Sequence, residues 1–248
     1  MEKIYQESFH LKSTDCDRFG RLKPGAMLGM LQEVAGSHCL GTEVEWTALA
    51  RKGLFFAITR THIRIARMPM AGETITLETW PGVTTRVAYP RNTVAYDAQG
   101  REVFRCISLW VLMDVENRSM VTPGKSGVSL DGWTRGCELP VPASIGLKPL
   151  EGCRERTVTF SELDRNGHMN NTHCADWVQD LLPSAFHAEH PLTELTVCYL
   201  SEALEGDRIR LSHGFTPEGE LLVNSFVTDC TGGVEKDRRV FAVKARYL

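Results

Sequence analysis

Asp17-Arg18-Phe19-Gly20-Arg21-Leu22 and Asp164-Arg165-Asn166-Gly167-His168-Met169 share one pattern, D-R-x-G-x-[LM], and stand 147 positions apart. At the same offset Leu31-Gln32-Glu33-Val34 meets Val178-Gln179-Asp180-Leu181. Two matches in one register predict an internal duplication. Downstream the offset falls to 134, where Ala71-Gly72-Glu73-Thr74-Ile75-Thr76-Leu77 lies over Glu205-Gly206-Asp207-Arg208-Ile209-Arg210-Leu211. The second copy therefore has a shorter connection, and its Gly-acid pair reads as a turn between strands.

Each copy reads as strand, loop, helix and antiparallel meander. Met27, Met30, Leu31, Val34 and Ala35 fall at helical spacing, as do Cys174, Trp177, Val178, Leu181 and Leu182, so one long buried helix is predicted per unit. The stretches around Ile63/Ile65, Ile75/Leu77, Val197/Tyr199 and Ile209/Leu211 alternate as half-buried strands do. Val103 to Met113 and Val240 to Val243 read as more fully buried strands. A helix packed on an antiparallel sheet is a two-layer α+β solution. Residues 123–152 are rich in Gly and Pro and without period, which predicts a linker between an N-terminal unit, 1–122, and a C-terminal unit, 153–248.

The totals exclude several classes. A net charge of −3 in 248 residues opposes bulk nucleic-acid binding. No apolar run approaches a membrane span, and the N-terminus lacks the basic-then-apolar order of a signal peptide, so a cytosolic, cytoplasmic protein is expected. Eight cysteines without C-x-x-C spacing predict reduced thiols, Cys174 and Cys198 among them as small buried hydrophobes rather than nucleophiles. His168 with His173, and His187 with His190, lack an acidic partner at ligand spacing, so neither metal nor cofactor is expected. Arg60, His62 and Arg64 alternate with Ile63 and Ile65, and read as a solvated sheet face before a docking face for an acidic partner.

Aligned copies separate scaffold from chemistry. Asp17/Asp164, Arg18/Arg165 and Gly20/Gly167 match and are expected to shape a loop. Phe19, Arg21 and Met68 become Asn166, His168 and Glu202. The second copy thus carries an amide, an imidazole and a carboxylate, which together suit carbonyl polarisation, proton transfer and activation of water. The first copy is the degenerate one.

Asp164-Arg165-Asn166-Gly167-His168-Met169-Asn170-Asn171, followed by Trp177, resembles the D-x-N-x-H-[VM]-N-N motif of acyl-acyl-carrier-protein thioesterases. Leu195-Thr196-Val197-Cys198-Tyr199-Leu200-Ser201-Glu202 resembles that family's L-T-L-x-Y-x-x-E strand. The resemblance spans nearly the whole chain. It implies a double hotdog, a catalytic network of Asp164, Asn166, His168 and Glu202, and an acyl carrier protein as partner. No plastid transit segment is read at the N-terminus, so a bacterial member of that family is expected.

Two departures matter. Many plant members carry a Cys after the catalytic Glu where this chain has Ala203, which removes a thiol route there, and Cys174 replaces the family's aromatic residue. Glu202 is expected to act as base, His168 to move the proton and Asn166 to position water or carbonyl. Amides at the helix start near Asn171 are expected to meet the oxyanion. Asp164 either orients its neighbours or joins the relay. Rival readings are an acyl-CoA thioesterase, a hotdog dehydratase and a non-catalytic acyl-thioester binder; the complete polar set disfavours the last. A homodimer is left open, and Met27, Met30 and Leu31 are expected to set pocket depth.

Overall fold

In the computed structural model, which describes residues 4–130, 139–229 and 236–248, the chain opens on strand β1 (Tyr5–His10), turns through a 3-10 turn at Ser13–Asp15 and enters helix α1 (Pro24–Cys39). Pro24 sits in the first turn, where a missing N–H leaves no intrahelical bond unmade. Met27, Leu28, Leu31, Val34, Ala35 and His38 form the buried stripe, which faces β1 and β3 (Thr74–Pro81). Each leucine so buried contributes about 1.5–3 kcal/mol.

Helix α2 (Trp46–Arg51) leads to β2 (Leu54–Ile65); β4 (Tyr89–Tyr96), β5 (Glu102–Asp114) and the short β6 (Met120–Val121) follow β3. The antiparallel order is β1-β3-β4-β5-β2, with β6 on the outer end of β5. Val44, Leu49, Leu54, Tyr89 and Leu112 form a local apolar cluster that also takes in Val128 and Leu130. The connecting stretch therefore begins as a packed segment, after a single helical turn, α3 (Pro123–Ser126). Its residues 131–138 lie outside the described residues. The first compact unit is Met1–Pro142 and the second is Ala143–Leu248.

The second unit repeats the plan. Strand β7 (Gly152–Thr157) leads into a 3-10 turn at Phe160–Glu162, helices α4 (His173–Gln179) and α5 (Ser184–Glu189), and strands β8 (Leu192–Tyr199), β9 (Arg208–Phe215), β10 (Glu220–Asp229) and β11 (Lys236–Tyr247). Their antiparallel order is β7-β9-β10-β11-β8. Taken in chain order, each strand occupies the place of its counterpart in the first sheet, so the duplication inferred from short motifs extends to topology.

One element differs from the sequence expectation. The predicted long helix of the second unit is only seven residues, against sixteen in α1. Pro183 lacks an N–H and disfavours helical geometry at Leu182. Cys174, Trp177 and Val178 are buried as predicted, whereas Leu181 and Leu182 fall beyond the helix and are half-buried.

The basic face of β2 is also not uniformly solvated. Arg64 is exposed, but His62 is only 8% exposed and Arg60 is half-buried. Arg60 Nη1 donates to Pro142 O at 3.0 Å, so the connecting segment reaches the middle of this strand.

Candidate active site

The site is built on a hairpin pinned at both ends. Asp164 N donates to His168 O at 2.7 Å and Gly167 N to Asp164 O at 3.1 Å, which closes the tip. Asp164 Oδ1 accepts from Asn166 N at 2.8 Å and His168 N at 3.2 Å. Gly167 takes φ +77°, a left-handed value that glycine adopts without steric cost. Met169 N then donates to Ala203 O at 2.8 Å, and His168 bridges Leu204, so the hairpin lies alongside the segment that follows β8.

That register brings the predicted residues together. His168 Nε2 stands 3.4 Å from Glu202 Oε2, with the imidazole side chain 22% and the carboxylate side chain 49% exposed. An imidazole and a carboxylate thus stand within ion-pair distance while open to solvent, the kind of pairing that proton transfer to or from water uses once substrate draws it closer. Asn166 is exposed, and its Nδ2 lies 3.4 Å from Asp164 Oδ2. Asp164 lies at the base of the hairpin, Asn166 and His168 on it, and Glu202 across from it.

The first unit carries the same frame. Asp17 Oδ1 accepts from Phe19 N at 2.7 Å and Arg21 N at 3.0 Å, Asp17 N donates to Arg21 O, and Gly20 has φ +75°. Leu22 N donates to Pro69 O and Arg21 bridges Met70, as Met169 does to Ala203 and His168 to Leu204. On this frame the guanidinium groups of Arg18 and Arg21 each lie over the Phe19 ring, 5.4 and 5.1 Å from its centroid. The shared Asp and Gly hold the backbone; the exchanged residues change what the backbone presents.

Glu162 is a residue the sequence reading passed over. Its Oε1 accepts from Trp177 Nε1 at 2.7 Å, and its Oε2 from Thr159 N at 2.9 Å and Thr159 Oγ1 at 3.0 Å. Its backbone oxygen accepts from Asn170 N at 2.8 Å. Glu162 therefore fastens both ends of the hairpin and ties it to α4. The Thr159-x-x-Glu162 spacing was the available signal, a capping box.

Helix α4 begins at His173 with Thr172 as its cap, two residues past Asn171 and so near where it was expected. Asn170 takes both Thr172 N, through Oδ1 at 3.1 Å, and His173 N, through its carbonyl at 3.1 Å. These two amides at the helix start are thus already engaged within the chain.

The thiols are poorly placed for catalysis. Cys174 is 1% exposed and donates to Asn171 O at 2.8 Å; burial pushes its thiol well above the ordinary range. Cys198 is equally buried on β8, and Ala203 beside Glu202 carries no functional group. Among the described residues no three His, Cys, Asp or Glu side chains group closely enough to hold a metal, and no helix is long and apolar enough to cross a membrane.

Comparison with known proteins gives two matching family descriptions in tandem: acyl-ACP thioesterase N-terminal domain over residues 2–123 and C-terminal domain over residues 151–238. A dodecanoyl-[acyl-carrier-protein] hydrolase of Umbellularia californica is 24% identical over 94% of this chain and 65% of its own length. The corresponding protein of Cinnamomum camphora is 23% identical over 80% of this chain and 56% of its own length. Both are described as chloroplastic, and the chain thus spans less than two thirds of either relative.

Among solved structures, an acyl-ACP thioesterase from Bacteroides thetaiotaomicron superposes with a TM-score of 0.88 at 22% identity, covering 99% of this chain and 98% of its own. The 12:0-ACP thioesterase of Umbellularia californica gives 0.79 at 19% identity, covering 100% and 98%. At these identities the likeness establishes the fold, the tandem hotdog.

Proposed function

Because the chain belongs to the acyl-ACP thioesterase family, we propose that it hydrolyses acyl-acyl-carrier-protein thioesters to free fatty acid and carrier thiol, ending chain elongation. The observation that carries this reading is the 3.4 Å approach of His168 Nε2 to Glu202 Oε2 on a frame whose first copy holds Arg21 and Met68 instead. In this reading the second unit, 153–248, is catalytic and the first, 1–122, keeps a degenerate site, with 123–152 joining them.

Glu202 takes a proton from water as the water oxygen attacks the thioester carbonyl. Asn166 and His168 donate toward the carbonyl oxygen as charge builds on it, the stage at which aimed donors lower the barrier most. Collapse of the tetrahedral intermediate breaks the carbon–sulfur bond. His168 protonates the departing thiolate and recovers a proton from Glu202, which gives up the one it took from water, so that one water and one thioester yield one acid and one thiol and both residues return to their starting states. Asp164 orients the hairpin through the amides of Asn166 and His168 and need not change protonation. The partner is an acyl carrier protein. All six described cysteines are free thiols, in keeping with a reducing, cytosolic setting.

Matched acyl-carrier-protein and acyl-CoA thioesters of several chain lengths, with released acid measured by mass spectrometry, test the reading. Release from the carrier protein, weak release from CoA and loss of turnover in Glu202→Gln are expected. Preference for CoA would overturn the carrier assignment, and full activity of Glu202→Gln would overturn the role of the carboxylate.

A further inference from the structure

The turn after Glu202 has an internal control in the turn after Met68. In the first unit Glu73 Oε1 accepts from Met70 N at 3.1 Å, and Arg67, on the same strand end, forks onto Glu73 at 2.8 and 2.9 Å. In the second unit Asp207 Oδ2 accepts from Leu204 N at 2.9 Å, the same bond at the same register. Ser201 now occupies the position of Arg67, and the guanidinium comes from a different strand: it is Arg238, on β11.

The new guanidinium is aimed differently. Its Nη2 is 3.9 Å from Asp207 Oδ2, beyond hydrogen-bond distance, while Nη1 donates to Ser201 Oγ at 2.7 Å and to the backbone oxygen of Glu202 at 2.5 Å. Ser201 Oγ in turn donates to Arg239 O at 2.6 Å. Across the segment, Met169 N holds Ala203 O at 2.8 Å. The Ser201 hydroxyl and the carbonyls of Glu202 and Ala203 are therefore tied to β11 and to the His168 hairpin.

We propose that Arg238 is a positioning residue for the Glu202 carboxylate, holding Ser201 Oγ and Glu202 O so that the carboxylate stays against His168. The Glu202 side chain is about half exposed, and the backbone that carries it sets the point from which the carboxylate reaches His168. A displacement of about 1 Å at a reacting group costs on the order of 100-fold in rate. The inference rests on Glu202 acting as the base.

The test measures kcat and KM separately, on an acyl-carrier-protein thioester, for Arg238→Gln, Arg238→Lys and Ser201→Ala, with melting temperatures alongside. In Arg238→Gln, kcat should fall by about 10–100-fold with KM within about 2-fold, the pattern of an interaction that matters in the transition state alone. Arg238→Lys, which keeps one donor, and Ser201→Ala should lie between this variant and the parent, and both report even if Arg238→Gln does not fold. In a Glu202→Asp background Arg238→Gln should cost less than about 3-fold further, because both changes act on one carboxylate. A raised KM at unchanged kcat, or the same fold loss in both backgrounds, would overturn the proposal by making Arg238 a contact for the carrier or an independent group. An inactive Glu202→Gln with an indifferent Arg238→Gln refutes positioning alone, whereas an active Glu202→Gln refutes the base reading beneath it.

Discussion

Replacing Glu162 with alanine is expected to unfasten the hairpin that carries His168. The loss comprises two bonds from Thr159 and one from Trp177. The Thr159 pair is solvent-exposed and has the form of a helix cap, worth about 1 kcal/mol. Trp177 is 2% exposed, and an enclosed N–H left without an acceptor costs about 1–3 kcal/mol. The sum, about 2–4 kcal/mol, corresponds in a chain of this size to a fall of roughly 5–15 °C in melting temperature.

The pH dependence gives a second reading of the same variant. Burial works to raise the Glu162 carboxyl, but the Thr159 amide, the Trp177 indole and the Thr159 hydroxyl together hold it below the usual range. A folded-state value below the unfolded one makes the contribution complete above the unfolded value of about 4.3, and it fades as pH falls through the folded value. The gap between parent and Glu162→Ala should therefore be full at neutral pH and narrow in acid. Trp177→Phe keeps the ring and removes the donor, so a double-mutant cycle with Glu162→Ala should return a coupling of about 1–2 kcal/mol. Thermal melts from neutral to acid pH provide all three numbers. A gap under about 2 °C at neutral pH, a gap that does not close in acid, or strict additivity with Trp177→Phe would each refute the reasoning.

Asp164→Asn keeps an acceptor for the amides of Asn166 and His168 and should retain kcat within about 10-fold, whereas Asp164→Ala should lose on the order of 100-fold; equal inactivity of the two in steady-state assays would instead assign Asp164 to the proton relay. Cys174→Ala should keep most of the turnover at a stability cost of about 1 kcal/mol, and brief treatment of the parent with iodoacetamide should leave activity standing; loss in the variant would restore a role for the thiol. Arg91 is buried, its side chain bonded among the described residues to His38 Nδ1 at 3.0 Å, Thr79 Oγ1 at 3.3 Å and Cys39 Sγ at 3.6 Å with no carboxylate, and burial pulls its pKa below the usual range. Arg91→Met should accordingly be neutral or raise stability by about 1–2 kcal/mol, as when apolar residues replace a buried charge; a clear drop in denaturant midpoint would show that these bonds offset the desolvation.

What was legible in the sequence follows from how each element is exposed to water. Strands with one wet face, around Ile75/Leu77 and Ile209/Leu211, announce themselves by alternation. Strand β4, Tyr89–Tyr96, is buried at seven consecutive positions and includes Pro90, so it has no period to read. The same loss of contrast hid β10, which lies between β9 and β11. Apolar spacing carried the second helix past its end because the spacing of Leu181 and Leu182 is blind to Pro183.

The candidate site was legible for a different reason. Hairpin and carboxylate sit within forty residues, and the first copy shows which positions the frame requires: Asp17 and Asp164 are retained because each binds two backbone amides. Asn166, His168 and Glu202 could diverge from Phe19, Arg21 and Met68 because the frame is closed by backbone atoms and Asp, leaving these side chains free to change. The supporting groups lacked such a signal. Trp177 meets Glu162 only after the chain has turned into α4, and Arg238 meets Glu202 only because β11 pairs with β8. A candidate site in a duplicated fold thus has two layers, a local one that motif comparison separates and a long-range one that sheet pairing creates and that only the folded chain displays.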